Sequence, residues 1–295
     1  MKNDNVFAVL GASGKVGGAA IRELRRRGSA VRAIVRDPIK AETLRLDGFE
    51  VAVGDVRDQA SLTKALAGAS RVLVICPMNP KADDAVTEHD NLAETIVGAL
   101  RSAKPSTVVA ISDYGAHHET GTGIAVIFHR FEQRLRSLPG RVTLARSAEQ
   151  MQNWGRYLKN AAASGVVPMM YQPIDRPVPF VSAPDVGVMA AELLCDPNGT
   201  GSRVTHLEGP RRYSIGDVIE IIQTSLRRSV VGQEVAGERR VQLLTAAGTS
   251  ESYARLITGM WDAHNAGRIE VEPATDVRRG TTPLETVIAE QVAVL

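Results

Sequence analysis

The sequence predicts an α/β protein that contains a doubly wound parallel sheet, followed by a smaller mixed C-terminal lobe. Two observations support this fold class. Strand-like and helix-like segments alternate through residues 1–150, and most of the strand-like segments are continuous apolar runs. Continuous apolar runs are typical of parallel strands that helices cover on both faces, and the regular alternation predicts right-handed helical crossovers between them.

The alternating elements can be assigned in order along residues 1–150, which we predict to form one domain. The predicted strands are Val6–Leu10, Val31–Val35, Glu50–Val53, Arg71–Cys76, Thr107–Ser112 and Val142–Ala145. The predicted helices between them are Lys15–Arg27, Ile39–Asp47, Ser61–Leu66, Val86–Ala103 and Ala125–Ser137.

Residues 151–295 form the predicted smaller lobe, which we expect to be built partly back onto the first domain. It begins with a predicted helix over Met151–Ser164, and a proline-rich stretch then excludes a long helix. Three later segments carry the capping pattern of a helix N-terminus. The capping pairs are Ser182 with Asp185, Ser214 with Asp217, and Thr282 with Glu285, the last with Pro283 as the first helical residue.

The composition narrows the class of partner. The chain has 295 residues, of which 44% are hydrophobic and 23% charged, and its net charge is +2. A nearly neutral chain gives no basis for nucleic acid as the main partner. The polar start shows no signal peptide, and no apolar run approaches the ~20 residues of a membrane span. With only two cysteines, we expect a cytoplasmic protein that does not contact a membrane.

The first predicted strand leads into a glycine-rich loop, VLGASGKVGG, that opens the first helix. Gly11, Gly14 and Gly17 have the spacing at which glycines permit a tight turn, the approach of a pyrophosphate and close helix packing. Ser13 and Lys15 add a hydroxyl group and a cation to the loop. The strand–loop–helix context therefore predicts a Rossmann-type dinucleotide site, with bare helix N–H groups available for an anion.

The end of the second predicted strand bears on the choice of nucleotide. Arg36 stands where NAD sites usually carry an acidic residue for the ribose hydroxyl, and Lys40 lies four residues further on. A guanidinium group suits a 2′-phosphate, so we predict NADP rather than NAD. Asp37 is the counter-argument, because its carboxylate is adjacent and could take the ribose of NAD.

Two further residues stand at the predicted carboxyl edge of the sheet. Asp55 follows the third strand, where a carboxylate can receive the amine of adenine, and the alternative is a cap for the following helix. Pro77 ends the fourth strand and turns the chain over the edge where the ribose of a cofactor would pass.

Motifs over nearly the whole chain resemble the NmrA-like family, atypical members of the short-chain dehydrogenase/reductase superfamily. They include VLGASGKVGGA, VRAIVRDPIK, EVAVGDVRD, VVAISDYGAHHE and VTLARSAEQMQNW. The resemblance implies an extended dinucleotide-binding domain, a small C-terminal lobe and a cleft between them. It implies nucleotide contacts from Gly11, Ser13, Gly14, Lys15, Val16 and Gly17, with Arg36 and Lys40 at the adenosine phosphate and Asp55 and Val56 at the adenine.

The family contains NADPH-dependent reductases of quinones or related electrophiles, and also nucleotide-binding redox sensors that catalyse nothing. Ordinary enzymes of the superfamily use Tyr-x-x-x-Lys, in which the lysine lowers the pKa of the tyrosine. Tyr114 follows the fifth predicted strand, but His118 stands in the place of the lysine. The standard catalytic dyad is therefore absent.

Other residues remain as candidates for the chemistry. Tyr114 and His129 are the candidate proton donors, although a polar surface role is the alternative for the histidine. Gln152, Asn153 and Trp154 follow the sixth strand and are candidates for the substrate side of the cleft. Asn153 could instead hold the cofactor amide or cap the backbone. An adjacent His-His-Glu run lacks helical ligand spacing, so we expect no metal site.

We predict an NADPH-dependent reductase of a small electrophilic substrate, either quinone-like or a carbonyl compound. Hydride transfer to such an acceptor needs mainly orientation of the nicotinamide and an apolar slot. The alternative is a non-catalytic NAD(P)-binding redox sensor that acts through a regulatory protein partner. A homodimer is compatible with both hypotheses.

Overall fold

The chain folds into strands and helices that alternate along most of its length, and a computed structural model describes residues 5–197, 203–273 and 275–295. The strands are β1 (Val6–Leu10), β2 (Ala30–Val35), β3 (Glu50–Val53), β4 (Ala69–Val74), β5 (Thr107–Asp113), β6 (Arg141–Ser147), β7 (Glu149–Gln150), β8 (Val166–Met169), β9 (Val178–Val181), β10 (Arg203–Glu208), β11 (Arg212–Tyr213), β12 (Val231–Glu234) and β13 (Asp276–Arg279). The helices are α1 (Lys15–Arg26), α2 (Pro38–Leu46), α3 (Gln59–Leu66), α4 (Ala85–Ala103), α5 (Ala125–Arg136), α6 (Gly155–Ser164), α7 (Ala183–Cys195), α8 (Ile215–Leu226), α9 (Glu238–Ala246), α10 (Glu251–Asn265) and α11 (Leu284–Val292), with a 3-10 turn at Met151–Trp154.

The central sheet has eight strands in the order β13-β10-β6-β5-β4-β1-β2-β3, and every pairing within it is parallel. The chain runs outward from β1 to β3 and then returns to β4 on the other side of β1. This reversal creates a crevice at the carboxyl ends of β1 and β4, which is where doubly wound sheets bind their ligands. The predicted α/β fold with a doubly wound parallel sheet is confirmed.

Helices pack on both faces of the sheet, which explains why its strands are continuous apolar runs. On one face α7 packs closely against α1. An added Cβ at Gly187 of α7 would lie 2.2 Å from the carbonyl oxygen of Val16, so glycine is required for this approach. Across the described ranges, no helix is both long and apolar enough to span a lipid bilayer.

The second half of the chain returns to the central sheet. Strands β10 and β13 extend the sheet beyond β6, and both pair in parallel. The remaining strands form two small sheets, β11-β9-β7 and β12-β8. Residues 151–295 therefore contribute two strands and helix α7 to the same layered body as β1 to β6.

The predicted helix caps are only partly correct. Ser214 and Asp217 form a reciprocal capping box at the start of α8, as predicted. Ser182 is the N-cap residue of α7, as predicted, but its side chain forms no cap hydrogen bond. The prediction for Thr282 and Glu285 is wrong, because α11 begins at Leu284 with Pro283 as its N-cap residue. Asp185 instead accepts hydrogen bonds from the backbone N and Oγ1 of Thr282, both at 2.8 Å. These bonds join the start of α7 to the segment before α11, so a tertiary contact replaces two local caps.

Candidate cofactor loop and substrate cleft

The glycine loop between β1 and α1 uses its three glycines for different purposes. Gly11 has φ +70°, a left-handed conformation that favours glycine. An added Cβ at Gly17 would lie 2.3 Å from the carbonyl oxygen of Gly11, so close packing excludes any side chain there. Gly14 has φ −84°, and its added Cβ would lie 3.4 Å from the same oxygen, an ordinary contact. The fold therefore favours glycine at position 11 and requires it at position 17, but it does not require Gly14.

The N-terminus of α1 is open to an anion. Its N-cap residue is Gly14, which provides no side-chain cap, and the first turn contains no acidic residue. Ser13 and Lys15 are exposed beside it, whereas Val16 is buried and faces the core. Unpaired N–H groups at the positive end of a helix dipole attract negative charge.

Two exposed basic side chains follow the end of β2. Arg36 and Lys40 are exposed, and within the described residues neither side chain forms a hydrogen bond or an ion pair. Asp37 does have a partner, because its Oδ1 accepts a hydrogen bond of 2.9 Å from the backbone N of Ile39 and caps α2. The carboxylate of Asp37, which could have taken the ribose of NAD, therefore caps α2. The guanidinium group of Arg36 beside it is available to bind a ligand.

The segments after β3 and β4 lie at the same edge of the sheet. Asp55 is half-buried, and its Oδ1 accepts a hydrogen bond of 2.9 Å from the backbone N of Arg57, while Val56 is half-buried beside it. Pro77 is exposed. It does not end β4, because that strand already stops at Val74, and it lies in the connection that follows.

A cleft with a volume of about 360 Å³ opens at the carboxyl ends of β4, β5 and β6. Ile75, which follows β4, links it to the glycine loop, since an added Cβ at Gly11 would lie 3.7 Å from the Cβ of Ile75. One face of α10 forms much of the cleft wall, because the lining residues recur at helical spacing. They are Tyr253, Ile257, Met260, Trp261 and His264.

Two carboxyl groups face this largely apolar and aromatic cleft. Asp113 is the last residue of β5, and Glu149 stands in β7, shortly after the end of β6. Burial, and next the charge of Glu149, raise the pKa of Asp113 to about 7. Burial also raises the pKa of Glu149, although Tyr171 donates a hydrogen bond to its carboxylate. Both groups therefore hold protons at higher pH than ordinary carboxylic acids do.

The candidate proton donors are not free in the cleft. The ring of Tyr114 borders it, but the side chain is only 2% exposed and its hydroxyl donates to Glu208. Arg212 lies 3.3 Å from the same hydroxyl, and neither of these partners lines the cleft. Burial, together with the hydrogen bond to Glu208, raises the pKa of Tyr114 above its ordinary value. His129 lies outside the cleft, with Nδ1 2.9 Å from the carbonyl oxygen of Ala116.

The three residues predicted to line the substrate side of the cleft, Gln152, Asn153 and Trp154, point in different directions. Asn153 lines the cleft, and its Nδ2 lies 3.4 Å from Glu149 Oε1. Gln152 instead joins structural elements, since its Oε1 accepts a hydrogen bond of 2.9 Å from the backbone N of Ala183 at the start of α7. Trp154 is 4% exposed and packs edge-on against Phe180. Only Asn153 of these three reaches the cleft.

A buried ion network supports the strand ends beneath the cleft. Arg146 of β6 and Glu132 of α5 are 2% and 1% exposed, and two hydrogen bonds of 2.9 and 2.7 Å join them. Ser112 Oγ of β5 donates to the same carboxylate at 2.6 Å, and Arg146 also pairs with Glu272. The network fixes β5, β6 and the C-terminal segment relative to one another. Among the described residues, no group of three or more acidic, histidine or cysteine side chains could hold a metal ion.

Comparison with known proteins gives the family. A family model described as the NmrA-like family matches residues 3–281, most of the chain. The chain belongs to the NmrA-like family. The resemblance found in the sequence motifs is confirmed.

Relatives of this NmrA-like chain include named reductases. The NAD(P)H azoreductase of Xenophilus azovorans is 24% identical over 293 residues, which cover 98% of this chain and 99% of that protein. The triphenylmethane reductase of Citrobacter sp., solved in complex with NADP(H), has a TM-score of 0.81 at 25% identity and covers 97% of this chain and 99% of its own. The NADPH-dependent quinone oxidoreductase of Escherichia coli, solved with NADPH, has a TM-score of 0.80 at 21% identity over 98% and 99%, a likeness in fold alone.

Most of the cleft of this NmrA-like protein was not predicted from the sequence. The sequence of α10 contains a pattern that could have indicated a buried helical face, because aromatic and apolar residues recur there at helical spacing. That pattern is typical of core packing as well, so it does not distinguish a cleft wall from a core face. Asp113 and Glu149 could also have been recognised as candidate site residues, because each stands at the carboxyl end of a predicted buried strand, where doubly wound sheets bind their ligands.

Proposed function

We propose that this NmrA-like protein is an NADPH-dependent reductase of a small, flat, electrophilic molecule. One observation carries the cofactor assignment. The free guanidinium group of Arg36 stands after β2, while the carboxylate of Asp37 beside it is engaged in a helix cap. A free cation suits the 2′-phosphate that distinguishes NADP from NAD. The NADP(H) complexes of the Citrobacter sp. and Escherichia coli reductases support the same nucleotide.

The residues of the loop and of the neighbouring strand ends fit this cofactor. The open N-terminus of α1 would hold the pyrophosphate, and the absence of a side chain at Gly14 allows close approach of the backbone. Arg36 and Lys40 would hold the 2′-phosphate. Asp55 and Val56 would border the adenine, and Pro77 the ribose. When bound, the cofactor supplies a hydride.

The cleft residues would orient the acceptor and exclude water from it. One face of α10 supplies a wall of apolar and aromatic side chains, among them Tyr253 and Trp261. Tyr114 does not act as an acid at neutral pH in this proposal, since its hydroxyl is bonded to Glu208 and its pKa is raised by burial. An acceptor that is already electrophilic needs orientation more than it needs proton donation. Quinone-like acceptors are therefore favoured over simple carbonyl compounds.

The test is nucleotide oxidation by the purified full chain. We would follow the absorbance of NADPH and NADH with menadione, an azo dye and an aldehyde as acceptors. The expected result is oxidation of NADPH in preference to NADH, with menadione or the azo dye faster than the aldehyde. Tight binding of NADPH with no oxidation by any acceptor would overturn the proposal and favour the nucleotide sensor that acts through a protein partner.

A further inference from the structure

Most of the titratable side chains that line the cleft are poorly suited to supply a proton at neutral pH. A neutral acceptor that gains a hydride is left with a negative charge, and a proton must then neutralise it. The hydroxyl of Tyr114 is bonded to Glu208. Burial raises the pKa of Cys76 to about 12 and raises that of Tyr253 above its ordinary value. Burial also lowers the pKa of His264 to about 4, so its imidazole is already neutral near pH 7.

Two carboxyl groups of the lining remain, and neighbouring strand ends supply them. Asp113 is the last residue of β5 and pairs in register with Ser147, the last residue of β6. Glu149 follows Ser147 by two residues. Within the described part of the chain, neither carboxyl group forms an ion pair. Arg156 lines the cleft as well, but its side chain is exposed and its Nε donates to the backbone carbonyl of Asn153 at 2.9 Å.

The two carboxyl groups differ in the donors that contact them. Tyr171 donates its hydroxyl proton to the carboxylate of Glu149, and Nδ2 of Asn153 lies 3.4 Å from Oε1. Both donors favour the ionised form of Glu149 against the effect of burial. Asp113 is held by backbone N–H groups, that of Tyr114 and that of the following residue, whose N lies 3.5 Å from Oδ1. An ionised Glu149 favours the protonated form of Asp113.

We propose that Asp113 is the proton donor of the proposed reduction, and that Glu149 is a positioning residue whose charge keeps the proton on Asp113. This inference rests on the proposed reductase function. A hydride leaves a C–H bond of the reduced nicotinamide ring, which is oxidised by two electrons, and bonds to one end of the conjugated acceptor. The negative charge that develops at the other end takes the proton as the O–H bond of the Asp113 carboxyl breaks. A proton from water then restores the carboxyl group, so the step balances.

Turnover should depend on pH in the direction that a proton donor imposes. The groups that act on Asp113 are Glu149 of β7, Glu132 of α5 and Arg146 of β6, and Tyr253 of α10 is close enough to sense its charge. Burial and then Glu149 raise the pKa of Asp113 to about 7, against the smaller lowering by the adjacent backbone N–H and by Arg146. The carboxyl group keeps its proton below this pH and loses it above. We therefore expect kcat to fall as the pH rises through about 7.

The first test needs no turnover. Carbon-13 NMR of the full chain, labelled at the aspartate carboxyl carbons and free of nucleotide, follows the protonation of each aspartate. We expect one carboxyl group with a pKa of about 7, whose signal is missing from Asp113→Asn. Glu149→Gln should lower the pKa of that group, because a neighbouring negative charge is removed. A pKa of Asp113 in the ordinary range of aspartate overturns the inference.

The second test is the reduction of menadione by NADPH on either side of pH 7. Asp113→Asn should lower kcat by at least about 10²-fold below pH 7, the lower end for one acid–base group, and remove the decline above it, with NADPH affinity unchanged. Glu149→Gln should keep turnover and move the decline to lower pH, which a merely structural role would not do. Asp47→Asn is the control, because this exposed residue precedes β3 at the opposite edge of the sheet, and we expect it to keep the rate and the pH profile.

The outcomes separate this inference from the reductase proposal. If Asp113→Asn reduces menadione with the rate and pH profile of the unaltered protein, the reductase stands and the proton-donor inference is overturned. Loss of turnover in Glu149→Gln but not in Asp113→Asn also overturns it. If Asp113→Asn does not fold, an unshifted decline in Glu149→Gln overturns it instead. If the unaltered protein reduces no acceptor, the reductase proposal fails and the donor role fails with it, even where Asp113 titrates near pH 7.

Discussion

Two glycine-to-alanine substitutions in the same loop are expected to have opposite consequences. In Gly17→Ala the new methyl group would lie 2.3 Å from the carbonyl oxygen of Gly11 and 2.9 Å from the Cα of Ala12. Both contacts are with backbone atoms, which cannot rotate away. We expect a loss of about 3 kcal/mol in the free energy of unfolding, the upper part of the range for overpacking. That loss corresponds to a decrease of about 6–12 °C in Tm for a domain of this size.

In Gly14→Ala the new methyl group meets only the oxygen of Gly11, at 3.4 Å, and the backbone conformation suits alanine. Loss of a favourable N-cap residue and a reduced entropy of the unfolded chain act in opposite directions, so we expect stability to change by less than about 1 kcal/mol. The methyl group stands where the pyrophosphate would approach. NADPH affinity should therefore fall by at least about tenfold, since steric exclusion at a close-approach site costs more than ~1.4 kcal/mol.

The assay combines thermal unfolding by circular dichroism without nucleotide and calorimetric titration with NADPH, on both variants and the unaltered protein. If Gly14→Ala binds NADPH as tightly as the unaltered protein, the pyrophosphate does not approach the backbone at this residue. If Gly17→Ala unfolds at the temperature of the unaltered protein, close packing does not exclude a side chain at that position.

Arg36→Ala should lower NADPH affinity by about 10- to 100-fold and leave NADH affinity unchanged, because one charge-assisted hydrogen-bond partner is lost; calorimetry that finds equal losses would contradict this. Glu132→Ala should lower the free energy of unfolding by about 3–5 kcal/mol in urea titrations, because Arg146 would stay buried without its main partner; an unchanged midpoint would argue against it. Burial lowers the pKa of His89 from 6.5 to about 4, so the unfolded chain binds a proton that the folded chain does not as the pH falls below 6.5. Stability should therefore be complete above that pH and decline toward pH 4, and His89→Phe should reduce the slope; an identical slope would exclude His89 as a cause.

Local patterns predicted the strands and helices of the first half of the chain well. The first strand, the glycine loop and the first helix are a contiguous segment, and each glycine acts on its neighbours in sequence. The predicted ends of the strands are less accurate. Strand β4 ends at Val74, two residues before the predicted end at Cys76, because tertiary contacts decide where pairing ends. The two capping pairs that do not form have the same origin, since Asp185 has a partner about a hundred residues away.

The cleft was harder to predict because its properties are not local. The raised pKa of Asp113 depends on burial and on Glu149, neither of which is visible in the segment ISDYG. Tyr114 was a candidate acid from its place after a strand, yet its hydroxyl is held by Glu208, which is far along the chain. Helix α10 has the periodicity of an ordinary core helix, and only its placement over the strand ends turns that face toward the cleft.

The glycine loop and the cleft-lining face of α10 are separate parts of the chain, and this separation has a consequence for how such proteins diverge. Five cleft-lining side chains belong to one continuous helical face, and none of them belongs to the loop after β1. Mutation of that face can change which molecule fits without disturbing the turn at Gly11 or the tight seam at Gly17. Under the proposed function, descendants of one ancestor could thus acquire new acceptors one side chain at a time while keeping the same source of reducing power.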